Sequence, residues 1–225
     1  MRVIDLSILD YSTAWTEQER IHAEVLDGAQ EAIILVEHTP VITFGRRAED
    51  SAKHLVASRE QLKQMGVDLV ESDRGGDITF HGPGQLVAYP IVRLADHGFS
   101  VGAYVKALEE SAIATLKEFG IDAFLEPGAI GVWTRAARAT QPAAKICALG
   151  VRIKRGVSMH GIALNVTTDL AWFNLIVPCG LAGRPVTSVQ MIKGDTTPPM
   201  EEVKRVLSEK IAACVAAGRR NNAER

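Results

Sequence analysis

Apolar and polar residues alternate along much of the chain with the period of two that is typical of β-strands. Counting both alternating runs such as Arg2 to Leu9 and β-branched runs, ten segments are predicted to be strands: Arg2 to Leu9, Ala32 to Val36, Val41 to Phe44, Val67 to Val70, Ile78 to Phe80, Leu86 to Val92, Ile121 to Leu125, Ile130 to Trp133, Ile146 to Ile153 and Val157 to Val166. Most of these runs follow one another directly. The pattern therefore predicts an α+β fold with mixed, mostly antiparallel sheets and flanking helices.

The remaining apolar segments have the longer period of amphipathic helices. Helices are predicted after Ser12, with Trp15, Ile21, Val25, Leu26 and Ala29 on one face, from Ser58 to Met65 with Gly66 as the stop, from Ser100 to Phe119 with Gly120 as the stop, and from Pro199 to Ala217. We expect one domain over residues 1–217, followed by a polar, frayed tail at 218–225.

Composition narrows the class of protein. The chain has 225 residues, 47% of them hydrophobic, and a formal net charge of -2, which argues against a nucleic-acid-binding protein. No apolar run reaches the roughly 18–20 residues of a membrane span, and Asp5 interrupts the first apolar stretch, so we expect neither a membrane helix nor a signal peptide.

Cysteine and histidine usage points the same way. Three widely spaced cysteines favour reduced thiols and a cytoplasmic protein over a disulfide framework or a zinc site. Four histidines lie in no metal-binding pattern, namely His22, His38, His54 and His97. We therefore expect neither a metal nor a cofactor.

Charge is unevenly distributed. Residues 127–194 hold eight basic residues and one acid, a net charge of +7, which is either a run of solvated loop charges or a functional surface. We hypothesise that five of these basic residues form a rim around an active-site mouth and steer acidic partners. They are Arg135, Arg138, Arg152, Lys154 and Arg155.

The densest cluster of turn residues is R-G-G-D-I-T-F-H-G-P-G-Q, residues 74–85. A Gly-Gly pair allows the backbone to approach a ligand closely, and Gly82-Pro83-Gly84 suits a type II turn that holds His81 at a strand end. Read alone, the segment could equally be a hairpin with a structural histidine.

This segment, extended to R-G-G-D-I-T-F-H-G-P-G-Q-L-V-A-Y-P, closely resembles the signature of the lipoyl(octanoyl) transferases of lipoate biosynthesis. Further similar blocks are K-I-C-A-L-G-V-R from Lys145, H-G-I-A-L-N-V from His160, and the stretch from Phe173 to P-C-G-L at residues 178–181. The insertion-like stretch from Arg135 to Ala144 departs from the family pattern and leaves the local approach to Lys145 open.

The resemblance implies the fold of biotin and lipoate protein ligases. It also implies transfer of an octanoyl group from acyl carrier protein to a lysine of a lipoyl domain, with no membrane or nucleic-acid partner. By the same resemblance, Cys179 is the acyl acceptor and Lys145 its partner. The implied acyl-binding residues are Arg74, Gly75, Gly76, Asp77, Ile78, Thr79, Phe80, His81, Ala148, Leu149, Gly150, His160, Gly161, Ile162 and Ala163.

These residue types suit the reaction. A thiol that attacks a thioester exchanges sulfur for sulfur, so no ATP is needed, and a nearby ammonium stabilises the thiolate. Cys179 stands between Pro178 and Gly180, a loop setting, whereas Cys147 and Cys214 are interpreted as structural. His81 and His160 are predicted to line the site without being the principal base, and Arg74 could instead form a surface ion pair.

Two alternatives stay open. An ATP-dependent lipoate or biotin protein ligase would share the fold but would need no catalytic cysteine. A non-catalytic scaffold that binds lipoyl domains or acyl carrier protein is the other.

Overall fold

The computed structural model describes residues 1–46, 52–135, 142–177 and 184–223, with side chains as far as Gly218. In these ranges the strands are β1 (Arg2–Leu9), β2 (Ala32–His38), β3 (Val41–Phe44), β4 (Asp68–Glu71), β5 (Thr79–His81), β6 (Gln85–Ile91), β7 (Ala123–Glu126), β8 (Ala129–Thr134), β9 (Ala144–Lys154) and β10 (Val157–Asn165). The α-helices are α1 (Tyr11–Leu26), α2 (Arg59–Gln64), α3 (Val101–Glu118), α4 (Val189–Lys193) and α5 (Met200–Ala223). Short 3-10 helices span Ala52–His54, Leu94–His97, Leu170–Leu175 and Gly194–Thr196.

The described strands form two sheets. A seven-stranded sheet has the order β1-β2-β6-β10-β9-β8-β7, and a three-stranded sheet has the order β4-β3-β5. Among these pairs β1 with β2 and β3 with β4 are parallel, and the other pairs are antiparallel. The predicted α+β class with mixed, mostly antiparallel sheets is therefore confirmed.

Helices cover both faces of the large sheet. On one face α3 and α5 pack together and bury the largest apolar cluster, which includes Leu108, Leu116 and Leu207. On the other face α1 buries Ile21 and Val25 against β2 and β6. The small sheet has its own apolar cluster with the 3-10 helix at Leu170–Leu175. Two packed sheets with separate cores leave room for a cavity between them.

The structure confirms two of the predicted helix caps and corrects two of the predicted helix ends. Ser58 and Ser100 cap α2 and α3 as predicted, but α1 begins two residues earlier than Ser12 implied, since Asp10 is its cap and accepts from the Thr13 N–H at 2.9 Å. The last helix does not end at Ala217 but continues to Ala223. Gly218, the predicted start of a frayed tail, packs so tightly that a Cβ there would lie 2.6 Å from Phe99.

Within the described ranges no helix is both long and apolar enough to cross a membrane.

Candidate active site

A cavity of about 360 Å³ lies where the two sheets meet. That volume falls in the range of small-molecule sites, roughly 300–1,000 Å³. Of the residues expected from the sequence and described by the structure, all but Phe80 line it: Arg74, Gly75, Gly76, Asp77, Ile78, Thr79, His81, Lys145, Ala148, Leu149, Gly150, His160, Gly161, Ile162 and Ala163. Segments that are up to 89 residues apart in the chain thus form one wall.

Phe80 does not line the cavity, contrary to expectation. Successive side chains of a strand point to opposite faces, so Thr79 and His81 of β5 face the cavity while Phe80 points into the core of the small sheet. There its ring stacks on Trp172 at 5.4 Å and meets the edge of Phe173 at 5.8 Å.

Cys179 lies outside the described residues, within the stretch 178–183. The chain on either side of that stretch is anchored near the cavity. Val177 donates its N–H to the His54 carbonyl at 2.7 Å, and His54 Nδ1 lies 2.8 Å from the carboxylate of Asp77 in the cavity wall. On the other side, the Lys145 N–H donates to the Pro185 carbonyl at 2.9 Å.

The two described cysteines have structural surroundings. Cys147 is 1% exposed on β9, and burial raises the pKa of its thiol to about 12. A thiol with that pKa is almost fully protonated at neutral pH and is a poor nucleophile. Cys214 is half-buried on α5.

The Lys145 side chain sits at the partly exposed part of the cavity. Its Nζ donates to the Ile130 carbonyl at 2.9 Å and lies 4.9 Å from the centre of the Trp133 ring. The Arg184 guanidinium lies over the same ring at 5.1 Å and pairs with Glu126 at 3.1 Å. An aromatic face stabilises a nearby cation, so Trp133 helps to hold the ammonium in place.

The Arg74-Gly75-Gly76 turn is held by its own side chain. Arg74 is 7% exposed, so it is a buried cation and not the surface charge that the alternative interpretation required. Its guanidinium donates through Nε to Thr43 Oγ1 at 3.0 Å and through Nη2 to the Thr43 carbonyl at 2.7 Å. The positive charge of Arg74 is therefore hydrogen-bonded to β3.

Glycine lets this turn approach β9. The Gly75 N–H donates to the Val151 carbonyl at 3.0 Å, and a Cβ on Gly150 would lie 2.5 Å from the Gly75 oxygen. No side chain fits at that distance. The glycines of the two motifs therefore bring the backbones together and define one wall of the cavity.

His81 ends β5 before the predicted turn, in which the Gln85 N–H donates to the Gly82 carbonyl at 3.1 Å and Gly84 has a φ of 79°. His81 Nδ1 donates to Gln85 Oε1 at 2.7 Å, and burial lowers the pKa of the imidazole well below its usual value. His81 is consequently neutral in the cavity wall.

His160 forms a second polar contact in the wall. Its Nε2 donates to Asp73 Oδ1 at 2.7 Å, and Arg152 Nε lies 3.1 Å from Asp73 Oδ2. Burial lowers the pKa of His160, and the hydrogen bond from His160 lowers the pKa of the Asp73 carboxyl. The backbone of His160 has a φ of 55°, an unusual conformation for a side-chain-bearing residue in a strand.

Several wall residues were missed by the sequence reasoning. Tyr11, at the start of α1, lines the cavity and shares a hydrogen bond with Ser72 Oγ at 2.9 Å, and nothing in its local sequence marks it. Tyr89 lies within the quoted signature and donates to His38 Nε2 at 2.8 Å. Asp73, which contacts the wall residue His160, directly precedes Arg74, so its position beside the motif was the available signal. Apolar wall residues also missed are Val87, Val105, Ala129 and Ile130.

The hypothesised basic rim is not a single ring. Arg135 follows β8 at the end where Thr134 pairs with Ala144, and its guanidinium lies over the Phe124 ring at 5.5 Å. Arg155 lies in the turn at the opposite end of β9, about 30 Å away at roughly 3.3 Å per residue. Lys154 ends β9 directly before Arg155, Arg152 contacts Asp73 beside the cavity, and Arg138 lies outside the described residues.

In the part of the chain that the structure describes, no cluster of three or more histidine, cysteine and carboxylate side chains is arranged to hold a metal ion.

The family model of the Lipoyl protein ligase A/B catalytic domain matches residues 10–212. A curated octanoyltransferase of Chloroflexus aggregans is 46% identical over 205 residues, covering 90% of this chain and 89% of the relative. One of Koribacter versatilis is 46% identical over 211 residues, covering 92% and 81%.

Solved structures share the fold at low sequence identity. A lipoate-protein ligase A bound with ATP has a TM-score of 0.75 at 17% identity, covering 95% of this chain and 85% of that chain. A biotin protein ligase from Aquifex aeolicus has a TM-score of 0.55 at 13% identity, covering 98% and 71%. The expected biotin and lipoate protein ligase fold is confirmed, and the sequence matches show that the chain belongs to the octanoyltransferase family of the Lipoyl protein ligase A/B catalytic domain.

Proposed function

We propose that the protein transfers an octanoyl group from acyl carrier protein to the ε-amino group of a lysine on lipoyl domains of 2-oxoacid dehydrogenase and glycine cleavage proteins. The observation that carries this proposal is the 46% identity over nine-tenths of the chain to relatives named octanoyltransferase. The cavity between the motif blocks supports the proposal, because its lining of glycine, alanine and branched apolar residues suits an alkyl chain.

Neutral polar side chains complete the acyl site. Burial keeps the imidazoles of His81 and His160 neutral by lowering their pKa values, and burial keeps the phenol of Tyr89 protonated by raising its pKa. The one buried cation of the wall, Arg74, donates to Thr43 of β3. The two imidazoles and the phenol are therefore uncharged, and an acyl chain can contact them without desolvating an ion.

The chemistry is proposed to proceed by two acyl transfers. The thiolate of Cys179 attacks the octanoyl thioester, the new carbon–sulfur bond forms, and the bond to the carrier sulfur breaks. Lys145 gives its proton to the departing carrier thiolate and becomes a neutral amine. It then takes a proton from the incoming lysine, whose nitrogen attacks the acyl-enzyme and releases Cys179. A thioester is already activated, so ATP has no role in these steps.

Intact mass spectrometry tests the proposal. Octanoyl acyl carrier protein without ATP should add the mass of one octanoyl group, and peptide mapping should place the adduct on Cys179. Cys179→Ser should lose the adduct and fold normally, since a serine hydroxyl is far less nucleophilic at neutral pH. Cys147→Ala should keep the adduct because Cys147 is buried.

Two results would overturn this function. Turnover by Cys179→Ser at the wild-type rate would show that Cys179 is not the nucleophile. Lipoyl-domain modification that requires ATP and free octanoate, with no adduct from the carrier thioester, would instead identify a ligase.

A further inference from the structure

A single peptide group joins Lys145 to a buried acid on α3. The carbonyl of Ile130 accepts from Lys145 Nζ at 2.9 Å, and the N–H of Gly131 donates to Glu109 Oε1 at 2.8 Å. That carbonyl and that N–H belong to the same planar peptide bond, on opposite sides of it. The ammonium and the carboxylate therefore lie at the two ends of one peptide dipole.

Local backbone geometry at Gly131 makes this arrangement possible. Gly131 has a φ of 115°, and the pairing of β8 with β9 shifts register between Val132 and Trp133. A Cβ at Gly131 would lie 2.7 Å from the Cys147 carbonyl oxygen and 3.3 Å from Lys145 Cε. Only glycine fits there, so the irregularity in β8 brings the Ile130–Gly131 peptide next to the Lys145 side chain.

Glu109 is an unexpected residue for its position. It is 8% exposed and is the acid among the buried residues of α3, which include Leu108 and Ala112. A buried carboxylate destabilises a fold unless it is hydrogen-bonded, and an apolar residue would pack there at lower cost. Its acceptor function toward Gly131 gives a reason for the acid.

Other charged or titratable groups surround Lys145. On β9 itself the Cys147 thiol is held neutral by burial, and from the segment after 183 Arg184 shares the Trp133 ring and pairs with Glu126. Among the described residues facing Lys145, Glu109 is the acid whose carboxylate reaches the peptide that holds the ammonium.

We propose that Glu109 is a positioning residue for Lys145 and acts through the Ile130–Gly131 peptide. The hydrogen bond to the carboxylate fixes the orientation of that peptide and strengthens its carbonyl as an acceptor. The carbonyl in turn restrains a lysine side chain that otherwise has many rotamers. This inference rests on the proposed function for the catalytic role of Lys145, but the contact itself does not depend on it.

Three variants separate positioning from a merely structural role. Glu109→Ala removes the acceptor for the Gly131 N–H. Glu109→Gln keeps a side-chain oxygen at the same place and removes only the charge. Glu110→Gln, at the next position of α3, is the matched control, since Glu110 is exposed and pairs with Lys106.

The first readout is the rate at which an N-hydroxysuccinimide ester acetylates Lys145, measured by peptide mass spectrometry. Glu109→Ala should accelerate labelling about tenfold as the Nζ leaves the Ile130 carbonyl. Glu109→Gln should label at close to the wild-type rate, and so should the Glu110→Gln control. This measurement requires no enzymatic turnover.

The second readout is steady-state kinetics with octanoyl acyl carrier protein and a lipoyl domain. Glu109→Ala should lower kcat by about ten- to a hundredfold while the KM for the carrier protein changes little, because misplacement affects the proton transfer rather than docking. Glu109→Gln should recover most of kcat. The pH profile of Cys179 alkylation should shift in Glu109→Ala and not in the control.

A folded Glu109→Ala protein with wild-type Lys145 labelling overturns the inference, whatever its kcat. If Glu109→Ala does not fold, the Lys145 labelling rate is measured in Glu109→Asp, which withdraws the carboxylate by one methylene group. Faster labelling supports the inference and wild-type labelling overturns it. Failure of the proposed function is distinguishable: the wild-type protein would then form no Cys179 adduct, while the labelling comparison would still give its result.

Discussion

Lys145 and Pro185 are hydrogen-bonded through their main chains, with the Lys145 N–H donating to the Pro185 carbonyl at 2.9 Å. The Lys145 carbonyl in turn accepts from the Thr187 N–H at 2.9 Å. The chain that follows the stretch 178–183 is thus tied to the strand that carries Lys145. This supports the proposal that Lys145 and Cys179 act together.

Replacement of Lys145 by methionine tests that partnership directly. Lys145→Met keeps the length of the side chain and removes its charge. The midpoint of the pH profile of Cys179 alkylation should move about one pH unit upward, and kcat should fall about a hundredfold. An alkylation profile identical to that of the wild-type protein would mean that the ammonium does not act on the sulfur.

Gly150 should tolerate no side chain. In Gly150→Ala the new Cβ would meet the Gly75 oxygen at 2.5 Å, so we expect a loss of about 1–3 kcal/mol in the free energy of unfolding and a raised KM for octanoyl substrates. Urea unfolding and steady-state kinetics measure the two effects. Gly102→Ala is the control: no atom lies within 4 Å of its Cβ and it is in α3, so a gain of about 0.5–1 kcal/mol is expected. Equal stability of both variants would contradict the close approach.

Charge steering should depend on which end of β9 carries the charge. Arg135 lies at the Lys145 end and Arg155 lies at the opposite end. If acidic partners dock near Lys145, Arg135→Glu should lower kcat/KM for octanoyl acyl carrier protein severalfold and weaken its salt dependence. Arg155→Glu should change neither, and a small octanoyl thioester should be turned over equally by both variants. Equal effects of the two substitutions would show that the docking site is not at that end.

Stability should fall in mild acid. Burial lowers the pKa of His38 from 6.5 to about 4, so the unfolded chain binds a proton at pH values where the folded protein does not. Stability is therefore lost as the pH falls from about 6.5 toward 4, and His38 alone accounts for about 2 kcal/mol at pH 5. The lowered pKa values of His81 and His160 act in the same direction.

Urea unfolding at pH 7 and pH 5 measures this dependence. His38→Gln, which cannot take up the proton, should show a smaller difference between the two pH values than the wild-type protein. An equal free energy of unfolding at both pH values would contradict the conclusion that burial keeps these histidines neutral.

Local sequence determined the strands and most helix ends. The strands follow from alternating or β-branched apolar runs, and the caps Ser58 and Ser100 follow from hydroxyl side chains that accept backbone hydrogen bonds. Both are properties of a few adjacent residues. The cap of α1 was misassigned because Asp10 and Ser12 are both good caps two residues apart. Within the longer α5, Gly218 packs against Phe99, a residue from another part of the chain.

The motifs in the sequence also indicated most of the cavity wall, because each block contributes residues from one strand or turn. Tertiary structure decided which side chains of these blocks line the cavity and which residues contact them. Phe80 does not line the cavity, because strand alternation directs its side chain into the core of the small sheet. Arg135 and Arg155 lie at opposite ends of β9. Tyr11 of α1 lines the cavity and Glu109 of α3 binds the peptide that holds Lys145, and neither residue belongs to a motif. Their roles depend on contacts between residues 22 or more positions apart, and such contacts are set by how sheets and helices pack rather than by any local pattern.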